Sequence, residues 1–426
     1  MPTRRRVLAP HSALPGAALV LFLAATAGAC VTTVRTPLKQ ALPSVLGAEA
    51  AAPLCYGNAA QISPAPNNGD WSAVAGTLAD VDGDGRVDLA LMTNTATTTH
   101  SGHAVTFLIN DGRGGLRATT GLKFPMTPTA IEAADLNADG LLDLAIAALP
   151  ATGTRDDPAV HLLLGRGQGQ FIAGAVATKL RPAGLWIADI TGDGVLDLLV
   201  LAEGGGEVEV LRGDGRGEFS SIARSKLHGD ARPEGLTLGD FDLDKRLDLA
   251  TLSNRGGKDE AVVAVLRGDG KGEFKLASRR AIGRNGRALV AADFNGDGIA
   301  DLTALADAAG SSANSPIAAV LLNDGALGFS AISYFGPDQV ADAIVSDLDR
   351  NGAPDLLVAS RQGSGASFRV LPGDGRGGFG PVVDVPSGNA SHIARAADLD
   401  GDGRPELIFF GPQVAGVTIL RPTPCR

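Results

Sequence analysis

Asp80–Asp88 reads DVDGDGRVD, and the same nine-residue pattern returns six times. It reads DLNADGLLD from Asp135, DITGDGVLD from Asp189, DFDLDKRLD from Asp240, DFNGDGIAD from Asp293, DLDRNGAPD from Asp347 and DLDGDGRPE from Asp398. Successive copies start 51–55 residues apart, so the repeat fills the chain from about residue 54 onward. Positions 1, 3, 5 and 9 carry oxygen-bearing side chains, and position 6 is glycine in six of the seven copies. A tight loop turns such oxygens inward around one point, and glycine supplies the positive φ that the turn requires.

Oxygen donors at this density suit Ca2+, which takes about six to eight of them, including a backbone carbonyl near position 7. Zinc asks for His or Cys, and Mg2+ for a stricter octahedron that keeps several waters. An Asx-rich turn without metal is the plain alternative, since Asp, Asn and Gly favour turns. Against it, three or four carboxylates crowded together repel one another unless a cation joins them. The loops hold about half of the 47 acidic residues in a chain of net charge −10, so the acidity is concentrated there. The copies are unequal. Those at Asp80 and Asp398 have four carboxylates and a glycine at position 6; the one at Asp189 has Thr191 at position 3; the one at Asp240 replaces the glycine with Lys245 and suits a metal least.

The flanks decide what carries the loops. Each loop is followed by an apolar run, such as LDLAIAAL from Leu142, LDLLVLA from Leu196 or PDLLVAS from Pro354. Runs of this length bounded by Gly, Pro, Asn and Ser read as buried strands, whereas an EF-hand needs a helix on each side. A second signature follows, VTFLINDGRGGL, VEVLRGDGRGEF, VAVLRGDGKGEF or FRVLPGDGRGGF, which reads as strand, glycine-rich turn, strand. Each repeat therefore holds four strands in the order A, acidic loop, B, longer loop, C, glycine turn, D. One such sheet cannot bury both faces, but seven packed around an axis can. The expected fold is all-β: a seven-bladed propeller of four-stranded antiparallel blades.

The combined pattern, D-x-[DN]-x-D-G-x-x-D followed by VLLGDGxGxF, resembles the FG-GAP/VCBS repeat family, which also builds the seven-bladed head of integrin α subunits. The resemblance covers residues 54–426 and implies Ca2+ at up to seven loops, that at Asp240 being the weakest case. It assigns the ligand role to Asp80, Asp82, Asp84 and Asp88; to Asp135, Asn137, Asp139 and Asp143; and to Asp189, Thr191, Asp193 and Asp197. Asp240, Asp242, Asp244 and Asp248 follow, then Asp293, Asn295, Asp297 and Asp301, then Asp347, Asp349, Asn351 and Asp355, and last Asp398, Asp400, Asp402 and Glu406. The last repeat lacks its D strand, while residues 54–61 are surplus at the other end. We expect 54–61 to run antiparallel to 416–421 and close the ring. Cys55 and Cys425 then meet, and a disulfide between them is expected, worth roughly 5–6 kcal/mol in the chain-entropy model.

The N-terminus reads as an address. Arg4–Arg6 precede the apolar run Ala17–Ala25, which is too short to span a bilayer as a mature helix. Residues 1–29 are expected to be a signal peptide and 30–53 a flexible tether. AGAC resembles a bacterial lipobox that would lipidate Cys30, although Ala27 stands where Leu is usual. An outer-membrane or cell-surface lipoprotein and a secreted protein both remain open, with any membrane contact through the anchor alone. Three cysteines exclude a disulfide-dense scaffold, and net acidity argues against a nucleic-acid partner.

No HExxH, GxSxG or P-loop is present, and the loop acids are committed elsewhere, so the chain reads as no enzyme. A carbohydrate-active or other hydrolase on the same ring, and a structural subunit of an envelope complex, are the alternatives. Arg212-Gly213-Asp214 and Arg267-Gly268-Asp269 spell RGD, but sibling turns make the arginine incidental. His100 and His103 read as members of a solvated loop, His161 and His392 as structural. The B–C loops vary (94–104, 150–159, 203–207, 253–260, 307–316, 360–367 and 411–416), and recognition usually sits in variable loops on a rigid scaffold. A binding or adhesion module is expected, monomeric, with a protein or glycan ligand on the face opposite the acidic loops.

Overall fold

The structure, a computed structural model, describes residues 21–26, 29–34, 54–57, 60–62, 71–96, 101–119, 121–149, 158–227, 233–255, 260–307, 316–335, 340–362, 365–386, 393–411 and 416–423. The regular elements among these residues are all strands. No helix among them is long and apolar enough to cross a membrane.

Each repeat lays down its strands as consecutive antiparallel neighbours. The second gives Thr127–Ala134, Asp143–Leu149, Ala159–Gly165 and Phe171–Ala177; the third gives Pro182–Ala188, Asp197–Ala202, Glu207–Gly213 and Phe219–Lys226. The sixth gives Val340–Ser346, Asp355–Gln362, Gly365–Leu371 and Val383–Val385. Residues of the B strands are buried on both faces; Leu144, Ala145, Ile146, Ala147 and Ala148 are all fully buried. That is why these runs show no polar alternation.

Three sheets depart from the expected unit. The first holds Trp71–Ala79, Asp88–Ala96 and Ser101–Asn110, and splits its outer position between Leu116–Ala118 and Leu122–Phe124. The fourth and fifth repeats merge into one seven-stranded sheet, Pro233–Gly239, Asp248–Arg255, Glu260–Gly268, Phe274–Ala292, Asp301–Asp307, Pro316–Asn323 and Phe329–Phe335. Its 19-residue strand Phe274–Ala292 pairs backward with Glu260–Gly268 and forward with Asp301–Asp307, with Gly283-Arg284-Asn285-Gly286 absorbed as an irregularity between the two pairings. The last sheet holds Ile393–Ala397, Glu406–Phe410 and Val417–Leu420, and its fourth strand is Ala60–Ile62. The pairs Ala60↔Ile419, Gln61↔Thr418 and Ile62↔Val417, with a bridge between Tyr56 and Pro422, join the two ends of the chain in antiparallel register.

Apolar clusters lie between sheets. Phe107 and Met92 of the first repeat pack with Ile131 and Ile146 of the second; Leu162 of the second with Leu198 of the third; Trp186 of the third with Leu236 of the fourth. Phe241 of the fourth packs with Leu302 of the fifth, and Phe294 of the fifth with Leu356 of the sixth. One cluster takes Leu357 of the sixth, Phe409 and Ile419 of the last, and Leu89 and Leu91 of the first. The scarce rings are spent at these seams: Phe107 stacks on Phe171 at 5.2 Å, and Phe294 meets Phe379 edge-on at 5.9 Å.

The B–C connections are shorter than the sequence suggests. Pairing continues to Ala96↔Ser101, Arg255↔Glu260 and Gln362↔Gly365, so 94–96 and 101–104, 253–255 and 260, and 360–362 and 365–367 are paired strand. His103 accordingly sits in a strand, its Nδ1 2.5 Å from Asn94 Oδ1, and not in a solvated loop. Leu21–Thr26 and Ala29–Val34 form a separate antiparallel pair, within the stretches expected to be signal peptide and tether. The rest of residues 1–53, together with His100, His392 and Cys425, lies outside the described residues.

Candidate metal centre

The acid at position 9 opens each B strand and is buried in all seven repeats: Asp88, Asp143, Asp197, Asp248, Asp301, Asp355 and Glu406. One carboxylate oxygen accepts the backbone N–H of position 2, from Val81, Leu136, Ile190, Phe241, Phe294, Leu348 and Leu399, at 2.7–3.1 Å. In six repeats the other oxygen accepts an N–H from the end of strand C, from Asn110, Gly165, Gly213, Gly268, Asn323 and Gly373, at 2.7–3.0 Å. The residue therefore clasps the acidic loop to the glycine turn. In Asp197 and Asp355 the first oxygen also accepts the N–H of position 3, from Thr191 at 2.9 Å and Asp349 at 3.3 Å; a carboxylate has about four lone-pair sites, so each acid keeps at least one free of these bonds.

Position 1 folds the loop itself. Asp80 accepts from Gly83, Asp84 and Gly85, and Asp293 accepts from Gly296, Asp297 and Gly298. Position 5 turns back onto position 7, as in Asp84 with the Arg86 N–H and Asp297 with the Ile299 N–H. These bonds need left-handed backbone at position 6, where φ is +85° at Gly85 and +68° at Lys245, so the lysine adopts the glycine's conformation. Position 4 is left-handed too, in Gly83, Ala138, Gly192, Leu243, Gly296, Arg350 and Gly401. The sequence reading missed that position because only four of its seven residues are glycine.

Four loops bring three acid oxygens within 4.8 Å of one another: Asp80, Asp82 and Asp88; Asp240, Asp242 and Asp248; Asp347, Asp349 and Asp355; and Asp398, Asp400 and Glu406. Among the described residues no such triple forms at Asp135, Asp189 or Asp293, where position 3 is Asn137, Thr191 or Asn295. Asn137 and Asn295 instead donate to the position-5 carboxylates Asp139 and Asp297, at 3.0 and 2.8 Å. Burial first, and then the neighbouring acids, push Asp88 and Asp301 up to about 6 and Asp248 and Asp355 up to about 7. Burial and Asp400 do the same to Glu406, to about 7. Buried hard oxygens carrying unrelieved negative charge fit a divalent cation, so the donor chemistry agrees with Ca2+.

The arginines of the two RGD turns are not incidental. Arg212 donates to Asp193 through Nε and Nη2 at 3.1 and 2.6 Å, and Arg267 pairs with Asp242. Arg86 pairs with Asp84, and Arg246 with Asp244 at 2.5 Å. Cys55 is disulfide-bonded, and its carbonyl accepts the Thr423 N–H at 2.7 Å, two residues before Cys425. His161 is packed edge-on against Phe124 at 5.3 Å. Beside the Asp80 loop a cleft of about 530 Å³ opens between the first two repeats, lined by Asp82, Asp84, Phe107, Arg117 and Gln168.

The FG-GAP-like repeat family matches the chain over residues 80–146, 189–251 and 347–409, which take in every acidic loop except the one at Asp293. No curated protein matches the chain. Among solved structures, BBS1N, crystallised in complex with ARL6DN and soaked with mercury, is similar with a TM-score of 0.54. The match covers 88% of this chain and 98% of that one at 13% identity, a likeness of fold alone.

Proposed function

We propose that this FG-GAP repeat protein is a calcium-stabilised seven-bladed β-propeller, exported, serving as a non-enzymatic binding module. The seven blades are the four separate four-stranded or five-stranded sheets of the first, second, third and sixth repeats, the two halves of the seven-stranded sheet, and the last sheet completed by Ala60–Ile62. The cluster that takes in the sixth, last and first repeats supports a closed ring. So does the disulfide at Cys55, for which Cys425 is the proposed partner.

The observation that carries the calcium reading is the convergence of three acids within 4.8 Å in four loops, each including a buried position-9 carboxylate held in place by backbone N–H groups. At Asp80, Asp347 and Asp398 the ligands would be the side chains at positions 1, 3, 5 and 9. A bound ion would offset their mutual repulsion and fix the loop against the glycine turn. Its work is structural: the clasp at position 9 ties B to C, and Asn110 Nδ2 reaches the Leu399 carbonyl of the last repeat at 2.8 Å. Rigid loops would hold the opposite edge, where the B–C hairpins differ in length, and the protein or glycan partner is placed there.

Calorimetric titration of chelator-stripped protein with CaCl2 tests the metal reading. Saturable binding reversed by EDTA is expected, and a flat titration would remove the reading. The cleft beside Asp80 favours a second place for the ligand, on the metal edge. Arg117→Ala distinguishes the two, since it should leave binding unchanged if the partner sits on the B–C edge.

A further inference from the structure

The four carboxylates at Asp240 rank that loop, by charge alone, with those at Asp80 and Asp398. Its surroundings differ. The Asp242 side chain is only 2% exposed and is met by the Arg267 guanidinium from the glycine turn of the same repeat. Asp244, at position 5, is held by Arg246 through Nε at 3.1 Å and Nη2 at 2.5 Å. Position 6 is Lys245. At Asp189 position 3 is Thr191, and the position-5 carboxylate of Asp193 takes the forked contact of Arg212. That guanidinium, ahead of the backbone N–H of Val195, holds the Asp193 carboxyl below the usual carboxylate range.

Arg212 and Arg267 occupy the same place in their turns. In four other repeats that place is Ile109, Leu164, Leu322 or Pro372, none of which carries charge. In the last repeat it is Arg421, which turns away and donates to the Gly114 carbonyl at 2.8 Å. In the Asp80 loop Arg86, from position 7 of the loop itself, also pairs with Asp84 at position 5, so what sets the Asp189 and Asp240 loops apart is an arginine reaching in from the glycine turn, joined at Asp240 by a second guanidinium so that positions 3 and 5 are both met.

We infer that arginine takes the place of the cation in the loops at Asp189 and Asp240, which fold without Ca2+, while the loops at Asp80, Asp347 and Asp398 need it. The inference rests on the calcium reading above. An exposed ion pair is weak by itself. Here, however, a divalent ion entering the Asp240 loop would have to displace guanidinium groups from both position 3 and position 5. It would then sit close to the like charges it had displaced. A guanidinium in a forked contact matches carboxylate geometry and keeps its charge at any working pH.

The test is the calcium content per chain, measured by elemental analysis after saturation in millimolar CaCl2 and desalting. Asp242→Asn is expected to hold as much calcium as the wild type, and Asp400→Asn to hold one ion fewer. The pair Arg246→Gln/Arg267→Gln, made in one chain, is expected to gain one ion. A loss of one ion in Asp242→Asn, with Asp400→Asn also losing one, overturns the inference and leaves the calcium reading intact. A wild type that holds no calcium overturns both.

Discussion

Gly268 donates its N–H to Asp248 and has no room for a side chain: a Cβ there would lie 2.0 Å from the Leu247 carbonyl oxygen. Gly165, Gly213 and Gly373 meet the carbonyls of Leu142, Leu196 and Pro354 in the same way. The first and fifth repeats solve the problem differently, with Asn110 and Asn323 donating Nδ2 to the corresponding carbonyls of Val87 and Ala300 at 3.1 and 3.0 Å. Gly268→Ala should therefore cost about 1–3 kcal/mol, the usual range for overpacking against groups that cannot yield, read from the shift of a urea transition. Lys245 makes the opposite case. Left-handed backbone costs an L-residue about 1–2 kcal/mol, and the extra freedom glycine gains when unfolded takes back about 0.5–1 kcal/mol. Lys245→Gly should thus stabilise by up to about 1 kcal/mol in the same measurement. The loop chemistry was legible from spacing because position 6 is almost always glycine. Position 4 was not, since Ala138, Leu243 and Arg350 pay the same backbone strain without the marker residue.

Among strands, the last sheet depends on a piece of chain from the far end of the sequence. Without Ala60–Ile62, Val417–Leu420 would be an unpaired edge carrying buried Val417, Ile419 and Leu420. Reduction of the Cys55 disulfide should lower the melting temperature by several degrees. Differential scanning fluorimetry with and without reductant reads this, and an unchanged midpoint would mean the bond does not hold the ends together. This pairing was foreseen because the strand count fell one short at one terminus and one over at the other. The fusion through Phe274–Ala292 was not, because KLASRRAIGRNGRALV looks like a loop: its five exposed cations from Lys275 to Arg287, with Gly283, Asn285 and Gly286 among them, hide a strand that carries on across a shift in register. The B–C connections were over-read for a similar reason. Thr, Ser and Gly in 94–104 suggest a loop, yet cross-strand pairing runs on to Ser101.

Across all seven repeats, each protein molecule carries a set of buried acids whose charge the fold alone does not neutralise. In metal-free protein, Asp88, Asp248, Asp301, Asp355 and Glu406 bind protons more tightly when folded, at about 6 to 7, than when unfolded, at about 4. The folded state then holds more protons between those limits, so its stability is greatest below the unfolded value and falls as pH rises through the folded ones. Chelated protein should accordingly melt at a lower temperature at about pH 7.5 than at about pH 5, and calcium should remove the part of that slope set by Asp88, Asp355 and Glu406. A flat profile without metal would show that the position-9 acids are neutralised within the protein. The most direct test is a pair of melting curves at neutral pH, one in millimolar CaCl2 and one in excess EDTA. A midpoint lower by ten degrees or more in EDTA, restored by added calcium, is the predicted result. Coincident curves would contradict the idea that hard cations lock these loops to their sheets.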